Sequence, residues 1–235
     1  TGATTTTTAL AVITNARKTD RINGYACAFG SANIACQIAA RAAARIAVIG
    51  NGNPPKDYGG QSLTGLVAGA DSLQETYTAL DAAVKDGVST SNIVDGIVSM
   101  LDTVTFYHPD GEEPPAYRYV VDLIKLQNII FNISVIFEAD DWNGAPLIPD
   151  DQPTTNPTAR KPKDAAAAVN TMIDGLALQA ILSDPETAKD ATTAVINSGN
   201  PKRLDVGITV QLSGNTNIIS TDLMFGFYFG TLPII

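Results

Sequence analysis

Near the C-terminus, apolar side chains recur at every second position in two successive runs, and this constrains the fold more than any other feature. The stretch is NPKRLDVGITVQLSGNTNIISTDLMFGFYFG, Asn200 to Gly230. Val206, Ile208, Val210 and Leu212 share one face of a first extended arm. Leu223, Phe225, Phe227 and Phe229 share one face of a second. Gly214 and Asn215 open the connection, so the stretch predicts a C-terminal β-hairpin. A lone hairpin is not stable in water, and an exposed aromatic edge is a pairing hazard. Either the rest of the chain covers the second arm, or another subunit does.

The 235 residues are enough for one large domain or two small ones. Apolar residues make up 45% and charged residues 17%, which describes a globular chain with a sparsely charged surface. The balance of 15 basic against 24 acidic residues argues against nucleic acid or an anionic membrane as partner. No apolar run approaches the ~20 residues of a membrane span. The opening Thr1-Gly2-Ala3 and the threonines that follow suggest a fragment that lacks an N-terminal part. Cys27 and Cys36 form no disulfide framework or metal-ligand spacing and read as small buried residues of a reducing compartment.

Along the chain, Leu10 to Thr14 and Tyr25 to Phe29 read as short buried strands. Ser31 is placed to cap a helix with a stripe of Ile34, Ile38, Ala42 and Ile46. Ser72 and Glu75 match a capping box for a helix carrying Leu73, Tyr77, Leu80 and Val84 and ending at Gly87. Ile93-Val94, the Asp95-Gly96 turn and Ile97 to Leu101 predict a hairpin, with more β material from Val104 to Tyr107. The longest helix, Tyr117 to Phe137, is apolar over so much of its girth that burial on several sides is expected. Five prolines between Asn143 and Lys163 predict an exposed loop. Asp164 is placed to cap a helix carrying Val169, Met172, Ile173, Leu176 and Ala180, and Asp184-Pro185 to start a short one. The expected fold is mixed α+β: a central mixed sheet flanked by helices, ending in the C-terminal hairpin.

Chemistry is sparse. Gly50-Asn51-Gly52 imitates a dinucleotide fingerprint, but Pro55 stands at the third glycine position. His108, the single histidine, precedes Pro109 and has no nucleophile motif beside it. Ala139 to Asp150 carries Asp141, Asn143, Gly144 and Asp150 at calcium-loop positions, yet Ala139 replaces the first ligand and prolines intrude. Asn132-Ile133-Ser134 matches a glycosylation pattern inside the apolar helix. No catalytic, cofactor or metal residues are expected.

Several stretches, in one order, resemble the tail sheath proteins of contractile-tailed bacteriophages, most closely the Mu-like type. Asn200-Pro201-Lys202-Arg203-Leu204-Asp205-Val206 resembles that family's "dP-x-RLDV" entry into its last hairpin. The Arg17 to Ile22 loop, the Tyr25 to Phe29 strand and the Ala-rich helix after it resemble its core strand–helix step. "NPPKDYGGQSLTGL", Asn53 to Leu66, resembles its "dPARPLqtL" loop. "DGVSTSNIVDGIVSMLDTVTFY" resembles its glycine-bearing hairpin and following strand, and Tyr119 to Phe137 its long helix. The similarity covers nearly the whole chain. The Asn143 to Lys163 insert is longer than the family leads one to expect, and the family's N-terminal arm and earlier domains have no counterpart.

The resemblance implies residues 1–235 as a sheath core and C-terminal domain, in stacked hexameric rings around a tail tube. It implies a non-enzymatic virion protein, assembled in the host bacterial cytoplasm, that contracts to drive the tube through the host envelope. Its partners would be neighbouring sheath subunits, the tube protein, baseplate and tail terminator, with no cofactor, nucleic acid or membrane insertion. Leu223, Phe225, Phe227, Phe229, Leu232 and Ile234 would pair between subunits. Two other readings stand beside it: another tail or baseplate component, and an α/β enzyme domain using His108 and the acidic residues near Asp140.

Overall fold

The computed structural model describes residues 6–23, 33–52, 55–112, 115 and 117–216. The Tyr25–Phe29 strand, the Ser31 cap, Cys27 and the whole second arm of the hairpin lie outside them.

The first element is a helix, not a strand: α1 spans Thr6–Asn15. Thr7 and Thr14 are buried, while Leu10 and Ala11 pack on Ala83 and Val88. Those positions are three and four apart, so the period is helical and Val12 and Ile13 point outward. Helix α2, Ala35–Gly50, keeps the expected stripe at Ile38, Ala42 and Ile46, but Ile34 sits at its N-cap and is exposed. Gly50 permits a close approach: a Cβ there would meet Ile124 at 2.8 Å. Cys36 is exposed on this helix, against the expectation of a buried thiol.

Helix α3 spans Tyr77–Lys85 and starts later than the capping-box pattern predicts. Thr76 is its N-cap, accepting from the Ala79 amide, while Ser72 lies in a separate single turn, Asp71–Leu73. Glu75 instead receives a hydrogen bond from the Thr7 hydroxyl. Gly87 ends the helix as expected, with φ +79°, and a side chain there would collide with His108 and Phe106.

Strands β1, Thr90–Val94, and β2, Ile97–Asp102, form the predicted hairpin. Asp95 and Gly96 both take positive φ, the backbone of a type I′ turn. Val104 and Thr105 make only isolated bridges, to Tyr119 and Asn23.

Helix α4, Val120–Phe137, runs through two core clusters. Val121 and Ile124 join Tyr58, Leu63, Val98 and Met100 in one. Ile129, Ile133 and Phe137 join Val169, Ile173 and Leu176 in the other. The expected burial on several sides does not hold, since Ile130, Phe131 and Val135 are 47%, 63% and 55% exposed. By length and composition alone this helix could cross a membrane, which the run-length reading did not anticipate. A core helix of a soluble protein passes the same test.

The proline-rich segment is ordered by its own hydrogen bonds. Ile148 donates to the Arg160 carbonyl, Arg160 to that of Pro146, and the Lys161 ammonium to the carbonyls of Asp150 and Gln152. Pro162 belongs to helix α5, Pro162–Leu178, as its first residue. The N-cap is therefore Lys161, and Asp164 sits a turn inside, accepting from the Lys161 amide at 2.9 Å. Ala180 falls beyond the helix, with φ +53°.

Strand β3, Leu182–Ser183, leads to helix α6, Pro185–Asp190, which Asp184 caps as expected. Strands β4, Thr193–Ile196, β5, Leu204–Gly207, and β6, Gln211–Leu212, follow. The mixed α+β class stands. In place of one central sheet, the described residues form three two-stranded antiparallel ladders: β1–β2, β3–β6 and β4–β5.

Candidate functional site

Arg203-Leu204-Asp205-Val206 folds as the start of β5, and its polar side chains fasten the preceding turn. Arg203 Nε lies 2.5 Å from one Asp205 carboxylate oxygen, and Asn197 Nδ2 lies 2.7 Å from the other. These partners hold the Asp205 carboxyl below the ordinary carboxylate range, the Asn197 hydrogen bond first. The turn thus sets the register of β4 against β5, with Ala194 opposite Val206 and Ile196 opposite Leu204.

From here the predicted alternation is realised. Val206, Ile208, Val210 and Leu212 are half-buried and pack on the α4–α5 cluster, while Gly207, Thr209 and Gln211 face outward. Within the described residues this arm pairs with β4 and then with β3, on a single edge. Asn197 donates to the Arg203 carbonyl and Ser213 to that of Ile181. Hydrogen-bonded positions alternate along an antiparallel ladder. Arg203, Asp205, Gly207, Gln211 and Ser213 therefore aim their backbone groups at β4 and β3. Leu204, Val206, Ile208 and Val210 aim theirs the other way, along an edge that no described strand covers.

Beside that edge lies an apolar groove of about 640 Å³ between Leu204, Val206 and Ile208 on one wall and Ile133, Phe137 and Trp142 on the other. Phe137 and Trp142 meet edge to face, with ring centroids 5.2 Å apart. Strand addition uses this combination of an apolar groove and a strand edge, here an edge with no partner among the described residues. The expected pairing residues Leu223, Phe225, Phe227, Phe229, Leu232 and Ile234 lie outside the described residues.

A second concave feature, of about 850 Å³, is lined by Asp57, Asp81, Asp102, Tyr119 and Lys125 and by Ser213 to Thr216. Burial pushes the Asp102 carboxyl above its usual range, and Asp57 and Asp81 add like-charge repulsion. Burial likewise raises Asp122, although Lys125 opposes the rise. Tyr58, buried behind this wall next to Asp57, is pushed up to about 12. Lys125 is almost fully buried, and its ammonium is engaged by the Ser213 carbonyl and Asn215 Oδ1, both at 2.5 Å. Sequence reasoning missed this site because its members are scattered from Asp57 to Asn215.

The sequence-level candidates for chemistry are held apart. His108 is buried, with Nδ1 2.6 Å from the Phe106 carbonyl and Nε2 3.2 Å from Asn15 Oδ1. Asp141 pairs with Arg160 at 3.1 Å, and Asp150 accepts from the Lys163 amide, so the calcium-like loop spends two carboxylates on its own closure. Gly50-Asn51-Gly52 follows a helix rather than a strand, which is not the setting of a dinucleotide fingerprint. Among the described residues no three His, Cys, Asp or Glu side chains converge as metal ligands.

No protein-family model matches this chain, and no curated protein matches it. Solved structures do match, among them a chain of "Cryo-EM structure of the anti-feeding prophage (AFP) baseplate, 6-fold symmetrised". The TM-score is 0.47 at 13% identity, over 72% of this chain and 44% of that chain. This chain spans less than half the length of that one.

Proposed function

We propose that this chain is a structural subunit of a contractile phage tail sheath, polymerising as stacked hexameric rings around a tail tube. The observation that carries the reading is the ordered series of stretches, from Arg17 to Val206 and onward, that resembles the sheath proteins. The surface supports it. Among the described residues, no strand covers the backbone edge of Leu204 to Val210 and the α4 residues Ile130, Phe131 and Val135 are exposed, as the reading expects of an assembly subunit. Contraction would then be a shift between two packings of rigid subunits, with better-satisfied contacts in the contracted one. Leu223, Phe225, Phe227, Phe229, Leu232 and Ile234 belong to the segment that links neighbouring subunits. The tube protein, baseplate and terminator are the further partners, and the virion tail is the location. No catalysis is assigned: both ring nitrogens of His108 are engaged, one by the Phe106 carbonyl and the other by Asn15 Oδ1.

Negative-stain microscopy of the purified protein tests this. Striated tubes or hexameric rings are the expected result. Single plates bound to other tail proteins would move the assignment to a baseplate component. A monomer at every concentration would overturn it.

A further inference from the structure

Lys125 and Asn215 are placed as nucleophile and acyl donor, and we propose that they condense into an intramolecular isopeptide bond. The inference stands on the geometry of this one cluster and does not depend on the sheath reading.

Three observations carry it. First, Lys125 is the one buried lysine among the described residues, at 2% exposure. Lys18, Lys85 and Lys189 also face carboxylates, but water reaches them and their partners are exposed acids. Second, the Lys125 nitrogen lies 2.5 Å from Asn215 Oδ1. A nitrogen this close to the amide oxygen needs only a small side-chain rotation to stand about 3–3.5 Å from Cγ, the separation of a near-attack pair. The approach is fixed from both sides. The Ser213 carbonyl holds the nitrogen at 2.5 Å. The Pro55 carbonyl accepts from Asn215 Nδ2 at 3.3 Å, which turns Oδ1 toward the lysine. Third, a carboxylate is at hand: Asp122 Oδ1 lies 3.7 Å from the same nitrogen. Burial raises its carboxyl above the usual range, which makes it a stronger base.

The step needs no cofactor or oxidant. Lys125 first gives its extra proton to solvent in the cleft it lines, and reacts as the neutral amine. Its nitrogen attacks Cγ of Asn215, and Asp122 takes the proton that the nitrogen sheds. The tetrahedral adduct then collapses. The Cγ–Nδ2 bond breaks, and Asp122 returns the proton to Nδ2, which leaves as ammonia. One C–N bond forms, one breaks, and nothing is oxidised or reduced. Asp122 stands beyond hydrogen-bonding contact, so the bond trails folding, and the hydrogen-bonded cluster is the state before it.

The consequence is mechanical. The last ladder before this point, β3–β6, is two residues long. With the bond in place, a pull on the chain beyond Asn215 passes into the middle of α4 instead of peeling β6 away.

Intact mass spectrometry of the full chain, freshly purified and after days of incubation, tests this. The incubated protein should be lighter by one ammonia, and digestion should yield a branched peptide joining Lys125 to Asn215. Its melting temperature should rise, since a cross-link restricts the unfolded chain. Neither Lys125→Arg nor Asn215→Ala should yield the branched peptide, with circular dichroism checking that each is folded. Asp122→Asn should slow its formation about 100-fold. An unchanged mass after incubation would overturn the inference. Ammonia loss with unbranched peptides alone, which is cyclisation at an asparagine, would overturn it equally. Loss of water with a Lys125–Asp122 link, or an undiminished rate in Asp122→Asn, would sink the step as written.

Discussion

The ammonium of Lys125 lies 2.5 Å from the carbonyl oxygen of Ser213, 88 residues further along the chain. Lys125 stands on α4 between Val121 of one core cluster and Ile129 of the other, and it is 2% exposed. A buried ammonium is tolerated only where acceptors surround it. Ser213, Asn215 and Asp122, 3.7 Å away, supply them. The root of the C-terminal segment is thereby fixed to the middle of the molecule.

Lys125→Met should lower unfolding stability by about 1–3 kcal/mol, because the Ser213 carbonyl and the Asn215 side chain lose a charged donor. Urea denaturation measures the loss. Hydrogen exchange should locate it at residues 213–216, with β1 and β2 unaffected.

The two sides of α4 should respond oppositely to substitution. Ile129→Ala should cost about 2–5 kcal/mol as a cavity in the core. Phe131→Ser should change monomer stability by no more than about 0.5 kcal/mol, yet reduce self-association in sedimentation velocity. Equal destabilisation by both would mean that Phe131 is covered within the monomer.

His108→Ala should cost about 1–3 kcal/mol through the lost bonds to Phe106 and Asn15, leave assembly intact and leave metal content at zero. Elemental analysis beside a thermal melt checks both parts. A stoichiometric metal lost in the variant would reverse the assignment of His108 as structural.

Deleting Gln152 to Thr158 should leave far-UV circular dichroism unchanged. All seven residues are exposed, and the contacts of Pro146 and Ile148 with Arg160 lie outside the deletion. Loss of folding would place this loop in the core.

Asp102 and Asp205 should have opposite effects on stability. Burial and nearby carboxylates raise the folded Asp102 carboxyl, so its penalty is complete above that raised value and absent below the ordinary one. Asp102→Asn should therefore raise the melting temperature at pH 7 and have no effect near pH 3. The folded Asp205 carboxyl is lowered, so its contribution is complete above the ordinary value and lost as pH falls through the lowered one. Asp205→Asn should lower the melting temperature at pH 7, with the deficit shrinking in acid. Paired melts across this range read both signs.

Sequence alone determined the features that depend on neighbours along the chain. The Asp95-Gly96 turn, the stop at Gly87 and the Asp184-Pro185 start are decided by backbone preferences of single residues. The inward alternation of Val206 to Leu212 follows from the strand's period of two. Tertiary structure decided what depends on distant partners. Leu10 to Thr14 is apolar and β-branched enough for a strand, and packing against Ala83 and Val88 makes it helix. Glu75 leaves its expected cap because Thr7 reaches it. Composition shows that α4 is apolar over much of its girth, but only its packing against the rest of the chain decides that Ile129 is buried and Phe131 exposed. The Lys125 clamp and the acidic cleft join residues from Asp57 to Asn215. No local pattern encodes them, because their energy exists only once the chain has closed.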